Sequence, residues 1–145
     1  MSTRSTRRTL PFLLALFTLG AAPMAAHAQS VIDQMTTAAT EMMTQAGLTK
    51  RSQHDGSLAQ GKAADLSVNI PAGSQVLIAG VCDEDCSDLD MRVSQNGTML
   101  GEDILEDDAP MVTLSNWTGG TVTVRVEMPA CSVAPCAFRV LVYTK

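Results

Sequence analysis

Two periods divide the chain. Between Val31 and Gly47 apolar residues recur at steps of three and four. Val31, Met35, Ala38 and Met42 form one row, with Ile32, Ala39, Met43 and Ala46 beside it. That spacing predicts one amphipathic helix, with Ser30-Val31-Ile32-Asp33 as a capping box and Gly47 as its stop. From Lys62 onward the period is two. Ala64, Leu66, Val68 and Ile70 alternate with polar residues, and Pro71-Ala72-Gly73 turns the chain. Residues 75–81 are almost continuously apolar, as expected of a strand covered on both faces or central in a sandwich. Leu89, Met91 and Val93 alternate again, and Asn96-Gly97 predicts a tight hairpin onto residues 98–101. Met111, Val112 and Leu114 open another strand, Val122, Val124, Val126 and Met128 alternate, and residues 138–143 close the chain. Seven or so short strands with turn residues between them predict an all-β class. The expected architecture is an antiparallel β-sandwich or jelly roll carrying one N-terminal amphipathic helix.

Residues 1–28 read as an export leader rather than structure. Arg4, Arg7 and Arg8 form a basic start, residues 10–22 are apolar, and Ala26-His27-Ala28 supplies a small-x-small cutting site before Gln29. The apolar run is too short for a good membrane span. Arg7-Arg8 faintly resembles a twin-arginine signal, but Pro11 and the strongly apolar run favour the general secretory route. With no cysteine at the cut, no lipid anchor is expected. The expected location is periplasmic or secreted, with no membrane span after cleavage. The remaining 117 residues suit one domain with a real core. The expected division is a leader over 1–28, a helix over 29–48, a linker over 49–56 and a sandwich over 57–145. The linker follows from the polar stretch 50–61, which leads into a first short strand near residues 57–60.

The whole chain carries 10 Lys+Arg against 15 Asp+Glu. Export would remove three arginines and no acid, leaving 7 against 15, a balance of −8. Such a chain does not suit nucleic acid or anionic membrane. Cations, basic proteins or plain solubility fit it.

Four cysteines survive cleavage: Cys82, Cys86, Cys131 and Cys136. An even count in an exported domain implies two disulfides, for which three pairings exist. Cys82–Cys86 and Cys131–Cys136 are expected, because each pair brackets a single turn. In the chain-entropy view loops that short contribute about 2 kcal/mol each, so they would shape loops more than secure the fold. A four-thiolate zinc site is the rival, and neither the C-x3-C nor the C-x4-C spacing suits it.

Ten of the fifteen carboxylates fall in two windows, residues 83–90 and 102–108, joined by the predicted hairpin. The hairpin would bring both windows to one end of a sheet. Calcium suits such a place, since it takes six to eight oxygens in irregular geometry. An EF-hand is excluded: counting Asp83 as the first position, Asp88 and Ser94 stand where glycine and glutamate are required. The alternative stays open. If Leu89, Met91 and Val93 face the core, then Asp88, Asp90 and Arg92 share an outer face and can serve as a solvated edge that blocks aggregation.

Gly56-x-Leu58-x-x-Gly61, Leu66, Pro71-Ala72-Gly73, the run CDEDCSDLDMRV, Asn96-Gly97 and Asp107-Asp108-Ala109-Pro110 occur in that order. An alternating strand over 121–127 and a closing strand over 138–143 follow. The set resembles the bacterial pre-peptidase C-terminal domain over about residues 55–145. More narrowly, it is similar to a group of small exported bacterial proteins that carry CD-x-DCSDLD and a late cysteine pair. The resemblance implies a small jelly-roll-like sandwich. Some members, such as the collagen-binding domains of clostridial collagenases, bind calcium through acidic residues near the domain start and adjoining strands. Carried over, the D-x-D element is Asp88 and Asp90, and the later acidic position is Asp103 or Asp108. With the disulfide loop included, the candidate calcium ligands are Asp83, Asp85, Asp88, Asp90, Asp103 and Asp108.

A non-catalytic exported binding or accessory module is the expected function. A hydrolase built on paired carboxylates is weighed against it. Gly-x-Ser-x-Gly and His-Glu-x-x-His are both missing, and His54-Asp55 is the one histidine beside an acid after cleavage. The third reading is an interaction protein whose Met-rich helix, residues 31–47, docks on a partner or a second copy. A copper site on that helix is disfavoured, because Met42 and Met43 point about 100° apart.

Overall fold

The computed structural model describes residues 24–145, so most of the expected leader, residues 1–23, lies outside the described residues. One helix, α1 (Met24–Gln45), precedes eight strands. These are β1 (Thr49–Leu58), β2 (Lys62–Ile70), β3 (Gly73–Cys82), β4 (Cys86–Gln95), β5 (Thr98–Asp103), β6 (Met111–Trp117), β7 (Gly120–Cys131) and β8 (Cys136–Thr144). They form two four-stranded sheets, ordered β1-β8-β3-β6 and β2-β7-β4-β5, and every pairing is antiparallel. Most connections cross from one sheet to the other, with β4–β5 as the tight hairpin. This is a jelly-roll β-sandwich.

The core lies between the sheets. The alternating positions expected to face inward do so: Val68 and Ile70 on β2, Leu89, Met91 and Val93 on β4, and Val122, Val124, Val126 and Met128 on β7 are all buried. Asn96 and Gly97 both take positive φ, 50° and 80°, as the two-residue hairpin requires. Strands β3 and β8 are buried on both faces. Their inner residues (Val76, Ile78, Phe138, Val140, Val142) enter the main core, while Leu77, Ala79, Leu141 and Tyr143 form a second cluster on the outer face with Leu48. Helix α1 covers that second cluster, which explains why both strands read as continuous apolar runs.

Three expectations change here. The predicted linker over 49–56 is most of strand β1, paired with β8 from Thr49↔Thr144 to Leu58↔Cys136. Its polar residues mislead because β1 is an edge strand, where backbone pairing rather than side-chain burial holds the chain. In the uncleaved chain α1 begins at Met24, so Ser30 lies inside the helix rather than at its start, an extension that Ala25, Ala26 and Ala28 favour through high helix propensity. The packed row of α1 is also shifted by one residue. Ile32 and Thr36 are buried and Ala39 and Met43 pack on the sheet, whereas Met42, expected in the buried row, is 60% exposed. Threonines take inward positions because the sheet below offers polar groups. Thr36 Oγ1 accepts from Arg139 at 3.0 Å, and Thr40 Oγ1 lies 3.1 Å from the Tyr143 hydroxyl.

The helix does stop at Gly47, which takes φ 80°. The Leu48 amide donates to Met43 O at 2.9 Å and the Gly47 amide to Thr44 O at 3.0 Å, closing the last turn.

Candidate functional site

One end of the sandwich is tied by sulfur. Cys82–Cys86 and Cys131–Cys136 are both formed, with Cα separations of 6.0 and 5.9 Å, as the turn spacing predicts. Their role is larger than shaping loops. Cys82 sits on β3 and Cys86 on β4, in different sheets, and Cys131 on β7 and Cys136 on β8 again in different sheets. Each bridge therefore clips one sheet to the other. Cys86 and Cys131 face each other across the β4–β7 pair, so the two clips stand side by side. All four residues are buried in the main core. Disulfides of this kind belong to an oxidising compartment.

The first acidic window is built into this clamp. Asp83 is 4% exposed: its Oδ2 accepts from the Ala137 amide at 2.6 Å, while Oδ1 is buried without a hydrogen-bond partner. The Asp85 carbonyl accepts from the Ser132 amide at 2.8 Å, and Ser132 Oγ lies 3.3 Å from Asp85 Oδ1. These two aspartates hold the β3–β4 turn against the β7–β8 turn.

Asp88 and Asp90 lie further along β4, on the outer face of its sheet, beside buried Leu89 and Met91. They do not form an edge, since β4 is flanked by β7 and β5; the edges of this sheet are β2 and β5. Asp90 stands opposite Glu127, and Arg92 opposite Arg125. A ladder of ion pairs crosses all four strands of this face. Asp65 to Arg125 is 3.1 Å, Arg125 to Glu127 2.8 Å, Glu127 to Arg92 3.0 Å and Arg92 to Glu102 3.1 Å. Glu127, held by hydrogen bonds from Arg125 and Arg92, has its carboxyl below the usual range despite partial burial.

The second window meets the first. The Leu89 amide donates to the Asp107 carbonyl at 2.9 Å, and Asp103 pairs with Met91 across β4–β5. Asp103 is used by its own loop: Oδ1 accepts from the Leu105 amide at 3.3 Å and Oδ2 from the Met111 amide at 2.8 Å. Asp107 Oδ1 accepts from the Ala109 amide at 3.0 Å. Asp108 is exposed, with its carbonyl 3.6 Å from the Cys82 sulfur.

Crowding of like charge follows. Burial, then Glu106 and Asp107, push the Asp88 carboxyl above the ordinary aspartate value, and its Oδ1 is buried without a partner. Burial and Asp88 raise Asp90, with Arg92 opposing and Glu127 and Asp103 adding. Arg92, beside this rim, is already shared between Glu102 and Glu127.

The six candidate ligands thus divide into three places. Asp83 and Asp85 belong to the clamp, Asp88 and Asp90 to the sheet face, and Asp103 and Asp108 to the β5–β6 loop. Among the described residues no group of three or more His, Cys, Asp or Glu side chains is placed to hold a metal ion. Asp83 Oδ2 and both Asp103 carboxylate oxygens accept from backbone amides, while Asp83 Oδ1 is buried without a partner. Two features escaped the pattern reading. Arg139, 5% exposed, donates to Asp33 at 2.8 Å and to Asp55, and Ile104 and Leu105 project from the acidic loop. A lone basic residue at a helix-facing position of an apolar strand was the signal for Arg139.

Fold and site together define a small disulfide-clamped jelly roll with an acidic rim and a helix on one sheet. No protein-family model matches the chain, and no curated protein matches it. Among solved structures, the crystal structure of Aeromonas hydrophila PliG, a periplasmic lysozyme inhibitor of g-type lysozyme, is similar at 14% identity. The match covers 64% of this chain and 83% of that one, with a TM-score of 0.41. A likeness at that score carries no argument about this chain.

Proposed function

We propose that this chain is a non-catalytic binding or accessory module, exported to the periplasm or the exterior, whose binding surface is the acidic rim. One observation carries the reading. The windows 83–90 and 102–108 converge through the Leu89–Asp107 bond, and burial, with Glu106 and Asp107 beside it, holds the Asp88 carboxyl above the ordinary aspartate value. A surface in that state is stabilised by whatever positive charge arrives. Export is supported by the two formed disulfides and the leader-like residues 1–28.

Absence of catalysis is part of the same proposal. All four cysteines are bridged, and Ser52 Oγ and His54 Nε2, on one face of β1, are each buried without a hydrogen-bond partner, so they do not pair as nucleophile and base. The relation to the pre-peptidase C-terminal domain also stays a proposal, supported by a jelly roll over the residues that carry the resemblance.

Calcium enters as a loosely held counter-ion of the rim, not as the centre of a cage. Calorimetric titration with calcium chloride tests it. Weak binding in the range of about 10⁻⁴–10⁻³ M is expected, reduced in Asp88→Asn/Asp90→Asn. A melting temperature that calcium raises no further than sodium chloride of equal ionic strength removes calcium and leaves the rim to cationic macromolecules.

Docking through the helix is the weaker reading. The apolar row of α1 is spent on its own sheet, leaving Met42 as its one large exposed apolar side chain among the described residues. No helix among the described residues is long and apolar enough to cross a membrane.

A further inference from the structure

We propose that the β5–β6 loop, residues 104–110, is a docking knuckle for a cationic protein, with Leu105 and Ile104 entering an apolar pocket and Glu106, Asp107 and Asp108 meeting its basic rim. The inference rests on the acidic rim as a binding surface and names the kind of partner it takes.

The starting point is apolar exposure. Leu105 is 67% exposed, Ile104 48% and Met111 51%, three of the six large apolar side chains exposed among the described residues. They are not scattered. The Leu105 and Met111 amides both donate to the single carboxylate of Asp103, so the two backbone positions are neighbours. Isolated surface leucines call for no explanation, but adjacent ones on one loop tip do.

The loop is also held in shape before any partner arrives. The Asp107 amide donates to Leu105 O at 2.8 Å, Leu89 N–H holds Asp107 O, and Pro110 O accepts from Gly80 at 2.8 Å while Pro110 itself is buried. A tip fixed by so many internal bonds loses little freedom when bound. Its apolar side chains nevertheless point away from the fold that fixes them.

Charge selects the occupant. Glu106, Asp107 and Asp108 lie in the loop itself and Asp88 lies beside them, while Glu102 and Asp103 just before the loop are engaged by Arg92 and by backbone amides. A second copy docking tip to tip would bring the same carboxylates together, and anionic lipid would be repelled. A protein with lysines or arginines around an apolar pocket satisfies both the exposed leucine and the clustered negative charge of Glu106, Asp107 and Asp108.

The probe is the synthetic peptide Lys-Lys-Leu-Phe-Leu-Lys-Lys, titrated into the ¹⁵N-labelled exported chain, beside a control with its three apolar residues changed to serine. The expected result is amide shifts confined to residues 103–111. Affinity should fall about tenfold in Leu105→Ser, and by a similar factor with the serine peptide. Ile104→Ser serves as a second variant, and both substitutions are at exposed positions, with an unchanged melting temperature confirming the fold. Equal binding by wild type and Leu105→Ser, or shifts centred on the β4 face, overturns the knuckle while leaving the rim as a charge-only surface. No binding of either peptide at millimolar concentration removes both.

Discussion

Arg139 and Asp55 face each other across the β1–β8 pair, and the guanidinium that Asp55 holds also reaches Asp33 and Thr36 on the helix above. One buried cation thus joins the edge strand, the strand beside it and α1. Asp33 and Asp55 are themselves half exposed, at 58% and 55%.

That asymmetry makes a test. Asp55→Ala leaves a buried guanidinium with part of its compensation gone, and about 1.5–3 kcal/mol should be lost. Arg139→Met removes the charge and keeps the packing under α1, while the Asp33 and Asp55 carboxylates, both more than half exposed, keep their access to water. Its cost should be smaller, below about 1.5 kcal/mol. Urea unfolding of the two variants checks the order; Arg139→Met as the more damaging change would show that the ion network, not the packing, holds the helix.

Gly56 is required by space rather than by backbone angle. A Cβ built there would lie 2.4 Å from Phe138 Cζ, and Phe138 is 2% exposed in the core. Gly56→Ala should therefore cost about 1–3 kcal/mol through overpacking. The double variant Gly56→Ala/Phe138→Leu, which returns room, should recover part of that loss, as read from melting temperatures.

Acid should favour the rim. With its folded-state value raised, Asp88 takes up a proton in the folded protein before it does in the unfolded chain. Its contribution to stability is fully present below the unfolded value, near 3.9, and is lost as pH rises through the raised folded value. Asp88→Asn should thus stabilise the protein at pH 7 by about 0.3–1 kcal/mol, and the advantage should vanish toward pH 4. Glu127, with a lowered value, behaves oppositely, so its stability is lost on strong acidification. Stability of wild type and Asp88→Asn measured from pH 4 to 8 decides; a constant difference would mean that charge is not the cause.

The disulfides should matter more than their short loops suggest. Loop entropy alone gives about 2 kcal/mol for either bridge. Each also clips one sheet to the other and is buried in the core, so Cys131→Ala/Cys136→Ala should cost about 3–5 kcal/mol. A loss of 2 kcal/mol or less by chemical denaturation would return them to loop ornaments.

Much of the sandwich was legible because inward positions on a two-layer sheet must alternate, as on β2, β4 and β7, and because Asn96-Gly97 fits few structures besides a tight hairpin. The rim was legible in part. The two windows were expected at one end, and they meet there, but which carboxylates turn inward depended on backbone amides that no pattern reveals. Asp83 and Asp103, read from the sequence as candidate ligands, also accept hydrogen bonds from backbone amides.

By itself, then, the order of residues determined the strand periods, the class of fold, the helix stop at Gly47 and the nearest-neighbour cysteine pairs, since these depend on local geometry and on burial of one face. Only the tertiary structure decided that polar residues 49–56 form a strand, that threonines of α1 face inward over Arg139 and Tyr143, and that each short disulfide spans two sheets. Those outcomes depend on what lies across a layer boundary, and the side chains that meet there are distant in the chain.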